Sequence, residues 1–247
     1  MLTRVAVLSD VHGVVPALAA VLAEPDLRAA EKIVLTGDMT AGPQPAVVLD
    51  MLTELGDRVA WLSGNADREI VEFRRGVRDS IPDEIGPWAA GQVRDDQIDF
   101  LESLPQTLTL PIAGMGDVLF CHATPRDDDE IVLVDSTLDR WAEVLDGVQA
   151  DTIVCGNTHM PFVRLANGKL VINPGSVGMP YGRPGAHWAL LGPGVDLRRT
   201  MFDVDHAIEH VKDCGYDDID EWGDYFLRAR ATDAEAIGVF GKKEGRQ

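Results

Sequence analysis

Five short stretches place metal-compatible side chains directly after apolar runs: Asp10-Val11-His12, Gly37-Asp38, Gly64-Asn65, Cys121-His122 and Gly156-Asn157-Thr158-His159. Carboxylates, imidazoles and amide oxygens are the donor types that hold divalent first-row metals. Asp10, His12, Asp38, Asn65, His122 and His159 supply such a set. A carboxylate at a strand end, as Asp38 is expected to be, can bridge two cations with one oxygen for each. A bridged pair of cations suits phosphoester cleavage, because it acidifies a shared water and stabilises the phosphoryl oxygens during in-line displacement. Asp38 and His122 are therefore candidate catalytic residues as well as ligands. A lone D-x-H is more often a solvated loop than a ligand pair. Five such loops in order at strand ends outweigh that reading.

The positioning elements follow from hydrophobic pattern. Arg4 to Ser9 reads as a central parallel strand ending at Asp10. On an extended chain residues i and i+2 share a side, so Asp10 and His12 are expected to reach one ion. Pro16 opens a helix to about Glu24, and Lys32 to Leu35 is the second strand. Val47, Val48, Met51, Leu52 and Leu55 form the apolar stripe of the next helix, and Val59 to Leu62 is the third strand. This alternation predicts right-handed crossovers and a parallel sheet.

Residues 66 to 105 change character, with sparse apolar positions broken by Pro82, Gly86 and Pro87. They read as a small helical insertion between two site loops, well placed to cover the site and choose substrates. Trp88 within it could stack on a base, although packing is its commoner use. Strands resume at Leu108 to Ile112 and Asp117 to Cys121, joined by a glycine hairpin. A helix capped by Ser136 runs to Leu145, followed by strands Thr152 to Cys155, Phe162 to Leu165 and Lys169 to Ile172. The loop Asn173 to Pro180 is rich in glycine and proline, and its backbone N–H groups are expected to face an anion. Strands His187 to Leu191 and Val195 to Phe202 precede a helix from Asp205 to Cys214. His206 and His210 lie four apart on that helix beside an apolar stripe, and read as surface histidines rather than a zinc pair. The tail from about Ala231 is polar and expected to fray. The whole chain, 1 to 247, reads as one domain.

Bulk properties narrow the function. A net charge of −19 leaves no basic patch for coating duplex nucleic acid. No apolar run approaches the ~18 residues of a membrane span, and the opening strand does not resemble a signal peptide. Cys121, Cys155 and Cys214 are few and unpaired in spacing, as in a reducing compartment. A cytoplasmic protein is expected.

Taken in order, D-x-H, G-D, G-N, H and G-N-T-H resemble the calcineurin-like metallophosphoesterases. Asn173-Pro174-Gly175-Ser176-Val177-Gly178-Met179-Pro180 looks like the corresponding loop of their small bacterial phosphodiesterase branch. The resemblance implies an α/β fold, a four-layer αββα sandwich of two mixed sheets. It implies that Asp10, His12 and His159 hold a first metal, that Asp38 bridges, and that Asn65 and His122 hold a second. It also implies two divalent ions, with Mn²⁺ first and Fe, Zn or Ni as alternatives. Two positions depart from the pattern. Asn157 stands where the family usually has a histidine, and an amide is the weaker donor, so the second ion is expected to exchange more readily. Ala66 stands where many relatives carry a histidine thought to protonate the leaving group. Slow, broad phosphodiesterase activity on a small phosphorylated substrate, a nucleotide among the candidates, is the expected function. Arg68 and Arg126, each beside a site loop, are candidate phosphate ligands. Some members of the fold have lost catalysis and act as protein-interaction scaffolds, as the retromer subunit does. That and a nucleotide sensor are the alternatives here.

Overall fold

Along Val5–Leu8 every side chain is buried, but alternate residues enter different cores, and this division builds the layers. Val5 and Val7 pack with Val34, Phe120, Val154 and Ile172 between two sheets. Ala6 and Leu8 pack outward against Leu18, Val48 and Leu52 of covering helices. A strand buried on both faces needs apolar side chains at consecutive positions, which is why its sequence does not alternate.

The computed structural model describes residues 1–246. The chain runs β1 (Val5–Leu8), α1 (Val15–Ala23), α2 (Pro25–Arg28), β2 (Lys32–Leu35), α3 (Pro45–Thr53), β3 (Val59–Trp61), α4 (Asn65–Arg74), α5 (Gly86–Gln92) and α6 (Asp95–Glu102). It continues through β4 (Thr107–Ile112), β5 (Gly116–Cys121), α7 (Leu138–Val144), β6 (Thr152–Val154), β7 (Phe162–Ala166) and β8 (Lys169–Asn173). The last elements are β9 (Ala186–Leu191), β10 (Val195–Thr200), α8 (Val204–Lys212), α9 (Ile219–Phe226) and α10 (Asp233–Lys243). One five-stranded sheet has the order β10-β9-β1-β2-β3, the other β4-β5-β6-β8-β7. β1, β2 and β3 are parallel, as are β5, β6 and β8, while the remaining pairs are antiparallel. A third core under α7, built on Trp141, Phe162 and Val171, completes a four-layer αββα sandwich. The sequence expectation of two mixed sheets flanked by helices holds.

Several local expectations need correction. On α3 the buried face is Val48, Leu49 and Leu52, with Val47 exposed, because the helix meets the sheet about one residue further round than the Val47 stripe implied. Thr137, not Ser136, caps α7 by accepting from the Arg140 N–H, while Ser136 is drawn away to Glu244 and Arg246. The helices of 66–105 share the main core through Ile70, Ala89, Ala90, Ile98 and Leu101, so most of that segment is outer layer rather than lid. Trp88 packs on Tyr216 with ring centroids 5.6 Å apart. The expected polar tail is helix α10, started by a capping box between Thr232 and Glu235 and anchored by Ala236, Ile237 and Phe240. Helix α9 was not legible as a separate element. His206 and His210 are exposed on α8 and belong to no metal-compatible group among the described residues.

Candidate metal centre

Each candidate ligand sits just past the end of a strand, four from the first sheet and three from the second. Asp10 and His12 follow β1, Asp38 follows β2 and Asn65 opens α4 after β3; His122 follows β5, and Asn157 and His159 follow β6. The loops are laced together by backbone hydrogen bonds. Asp10 N–H donates to the Gly37 carbonyl at 3.0 Å, His12 N–H to Asp38 at 3.0 Å, and Gly156 N–H to His122 at 2.6 Å. Close approach requires glycine: a Cβ on Gly64 would lie 2.1 Å from Asp38 Oδ1, and one on Gly156 2.0 Å from Ser9 Oγ. This explains the G-N and G-N-T-H spellings physically.

Asp10, His12, Asp38, Asn157 and His159 all have φ between 47° and 62°. Asp10 and His12 therefore converge through two left-handed residues, not along an extended chain as the D-x-H spacing suggested. Left-handed backbone at a residue with a Cβ costs about 1–3 kcal/mol, and such strain concentrates at functional sites. Among the described residues only two other non-glycine residues share it, Asn167 and Ala229.

All three site histidines are held in the same way. Nδ1–H donates to a backbone carbonyl: His12 to Ala41 at 2.9 Å, His122 to Thr36 at 2.7 Å, His159 to Met179 at 2.7 Å. A carbonyl can only accept, so Nε2 is left with its lone pair facing inward. His12 Nε2 and His159 Nε2 then stand 3.2 Å apart, and His122 Nε2 faces Asn65 Oδ1 at 3.1 Å. Asp10 Oδ1 lies 3.3 Å from His159 Nε2, and Asp38 Oδ2 lies 3.3 Å from His122 and 3.7 Å from His12. Two clusters of ligand atoms within 4.8 Å result, Asp10-His12-His159 and Asp10-Asp38-His122. Facing acceptors with no donor between them repel, and a cation relieves this.

The donor set fits divalent ions on this structure's own terms. Asp10 is fully buried, and neither carboxylate oxygen has a hydrogen-bond partner. Such burial of an unpaired carboxylate costs several kcal/mol unless a positive charge is bound. Without metal, protons take that place. Burial pulls His122 down, but the adjacent Asp38 carboxylate outweighs it and holds the imidazole at about 10. His159 is raised by Asp10 in the same contest against burial. Asp38 is lowered although burial opposes it, because His122 and His12 lie beside it. Burial and the charge of His159 lower His12, whose imidazole is thereby kept neutral, the form that binds metal.

The remaining predicted residues are placed as follows. Asn157 is buried, and its amide nitrogen has no hydrogen-bond partner. Ala66 is buried, and its backbone N–H donates to Asp38 Oδ1 at 2.9 Å, so that position orients a carboxylate but offers no side-chain acid. Arg68 forks onto Asp128 at 2.6 and 2.9 Å and also meets Glu72. Arg126 pairs with Glu130 at 2.6 Å and Glu143 at 2.7 Å. Both arginines line a shallow cleft walled by Asp127, Asp128, Asp129 and Glu130, so carboxylates outnumber guanidinium groups there.

The loop after β8 corrects one expectation. Its N–H groups are spent internally: Gly175 on Asn173 Oδ1, Val177 on Ser9, Gly178 on Asp10 and Met179 on Ser176 Oγ. It braces the Asp10 loop rather than cradling an anion. Two contributors were missed in the sequence. Buried Asp67 accepts from Met39 N–H, Thr40 N–H, Thr40 O–H and Gly64 N–H at 2.6–3.3 Å, tying the Asp38 loop to the Asn65 loop. Burial and the nearby Asp38 push its carboxyl to about 7. Its place three residues after Gly64, as the N3 acid of α4, was the available signal. Tyr181 stacks on His159 with centroids 5.4 Å apart and rings 21° from parallel, and Phe240 of α10 backs it at 5.9 Å.

Known proteins resemble this chain in sequence and in fold. Residues 3–192 match the family described as the calcineurin-like phosphoesterase superfamily domain. The protein MJ0912 of Methanocaldococcus jannaschii is 26% identical, with 85% of this chain and 92% of that protein aligned. A metallophosphoesterase from Sphaerobacter thermophilus superposes with a TM-score of 0.70 at 24% identity, over 94% of this chain and 99% of that one. The protein PH1004 from Pyrococcus horikoshii superposes with a TM-score of 0.75 at 19% identity, over 93% and 99%. Among the described residues, no helix is long and apolar enough to cross a membrane.

Proposed function

The chain belongs to the calcineurin-like phosphoesterase superfamily, and on that premise we propose that it is a phosphodiesterase dependent on two divalent cations. The observation that carries this reading is the convergence of three inward-facing imidazole lone pairs on the unpartnered carboxylate of Asp10 and on Asp38. Asp10, His12 and His159 would hold one ion, and Asn65 and His122 the other, with Asp38 between them and Asn157 beside the second. Bound cations supply Lewis-acid stabilisation of the phosphoryl oxygens and an acidified water. Mn²⁺ is the proposed metal, and the cytoplasm the proposed location.

The chain's own residues do the rest. Three backbone carbonyls fix the histidine tautomer, and the Ala66 N–H and the Asp67 network hold Asp38 and its loop in place. Ala66, the residue directly after Asn65, has no side-chain proton to give, so substrates with leaving groups that depart unaided are favoured. Arg68 and Arg126 could steady phosphate only by releasing their carboxylates; unchanged KM in Arg68→Ala and Arg126→Ala would remove them from the site. A pure scaffold would have no use for two buried carboxylates and three imidazoles gathered on one another, so the scaffold reading is set aside. Hydrolysis of bis(p-nitrophenyl) phosphate with added Mn²⁺ tests the proposal. Asp38→Asn is expected to lose at least about 100-fold in kcat/KM, and equal rates in the two proteins would overturn it.

A further inference from the structure

Past the loop that braces Asp10, the chain turns at Tyr181-Gly182-Arg183 and forms one wall of a second cavity. Gly182 is left-handed at φ 76°, and its N–H donates to the Ala231 carbonyl at 2.9 Å, which pins the turn to the segment entering α10. His187 of β9 donates its Nε2–H to the Arg183 carbonyl at 3.1 Å and holds the turn from the sheet. The cavity measures about 440 Å³, within the range of small-molecule sites. Met160, Phe162, Tyr181 and Ile237 give it an apolar lining. Met160 and Phe162 are each 6% exposed and belong to packed cores, so this lining is part of the rigid body.

Two charged side chains line the same cavity, Arg183 and Asp233. Elsewhere arginines are claimed by carboxylates, as Arg94 is by Asp50 and Arg230 by Asp224. Arg183 and Asp233 are exposed, and among the described residues neither makes an ion pair, with the other or with any third group. Burial lowers the His187 pKa and raises the Tyr181 phenol to about 12, so neither ring adds a charge. One guanidinium and one carboxylate therefore border an apolar cavity as separate, unneutralised charges. A ligand with only a carboxylate would meet like charge at Asp233, in a chain already at −19, and one with only an ammonium would meet it at Arg183. A zwitterion satisfies both, with its carboxylate on the guanidinium fork and its ammonium on the Asp233 oxygens. The apolar lining then receives a bulky uncharged side chain.

The cavity also touches the metal centre. Tyr181 lines it and stacks on His159 with centroids 5.4 Å apart, and Met160 directly follows His159 in the chain. A ligand packed on Tyr181 restrains that ring and, through it, the imidazole proposed for the first ion. Asp233 and Ile237 lie outside the matched residues 3–192, so α10 adds this cavity to the family region.

We propose that the cavity binds a free α-amino acid with a bulky apolar side chain, and that its occupancy is coupled to metal binding through Tyr181 and His159. The coupling rests on the metal-centre reading; the cavity itself does not. Calorimetric titration of the full chain with L-phenylalanine, L-leucine and L-methionine, with and without Mn²⁺, tests both. At least one is expected to bind. The tightest is then compared with its deaminated and decarboxylated analogues, which for phenylalanine are 3-phenylpropanoate and 2-phenylethylamine. Each analogue should bind at least about tenfold more weakly, the scale of one charge-assisted contact. In Asp233→Asn the gap to the deaminated analogue should close, and in Arg183→Gln the gap to the decarboxylated one. Mn²⁺ should tighten amino-acid binding at least about fivefold, and the amino acid should tighten Mn²⁺ by the same factor. Failure of all three amino acids to bind overturns the site. An analogue that binds wild type as tightly as its amino acid overturns the zwitterion assignment. Affinity unchanged by Mn²⁺, in protein that metal analysis shows to hold the ion, overturns the coupling. Protein that binds the amino acid but holds no Mn²⁺ supports the cavity and overturns the two-cation reading instead.

Discussion

Replacing Asp67 with alanine isolates the network that joins two ligand loops without touching a ligand. Its carboxylate accepts from Met39 N–H at 3.0 Å, Thr40 N–H at 3.1 Å, Thr40 O–H at 2.6 Å and Gly64 N–H at 3.3 Å. The threonine hydroxyl can rotate to another acceptor, but the three backbone donors stay buried. At about 1–3 kcal/mol for each stranded donor, the gross loss is several kcal/mol. Two effects reduce it: water can enter the vacated space, and repulsion between Asp67 and Asp38 disappears. A net loss of about 3–5 kcal/mol remains. Asp67→Asn keeps one oxygen for Met39 and Thr40 and should lose about half as much. Urea denaturation of metal-free protein measures both, with an unchanged m-value showing that stability itself has moved. The Asn65 and Asp38 loops should also part, so Mn²⁺ affinity should fall in Asp67→Ala. A stability loss under about 1 kcal/mol with unchanged metal affinity would refute the claim that Asp67 holds the loops together.

Gly64→Ala should abolish binding of the second ion while the protein still folds, because the new Cβ would lie 2.1 Å from Asp38 Oδ1 and 2.5 Å from the Asp38 nitrogen; metal content after dialysis checks this. Phe240→Ala should cost about 1–2 kcal/mol, less than a fully buried phenylalanine, and should weaken metal binding through Tyr181 and His159. Thermal unfolding with and without Mn²⁺ reads both effects. Glu130 is held down at about 2, foremost by its Arg126 hydrogen bond, with Thr124 and Arg140 adding to it. A depressed carboxyl contributes stability that is present above its unfolded pKa and lost as pH falls through its folded one. Wild-type stability should therefore decline between about pH 4.5 and pH 2, and Glu130→Gln should flatten that decline.

The candidate ligands were legible because a strand ending in Asp, Asn or His announces itself locally. Asp38 and His122 are 84 positions apart in the chain, yet each could be picked out from the apolar run before it. What failed to show was cooperative. The left-handed backbone at Asp10, His12 and His159 is imposed by hydrogen bonds between loops, which local spacing cannot encode. Asp67 looks like an ordinary first-turn acid until Met39 and Thr40 are brought to it. The loop Asn173 to Pro180 has the composition of an anion cradle, but the Val177 and Gly178 N–H groups are consumed by Ser9 and Asp10 from the far end of the chain, and those of Gly175 and Met179 by Asn173 and Ser176 within the loop. Helix α10 hid in a polar stretch because only Ala236, Ile237 and Phe240 bind it to the body, too few for an amphipathic stripe. The fold followed from patterns within elements, and the site from contacts between them.

The most direct measurement is anomalous diffraction from crystals grown with Mn²⁺. Two peaks per chain are expected, one among Asp10, His12 and His159 and one between Asp38 and His122, with the second fainter because Asn157 and Asn65 are weak donors. Peaks only at surface carboxylates, with His12 and His159 still facing each other across an empty gap, would contradict a metal centre at this seam.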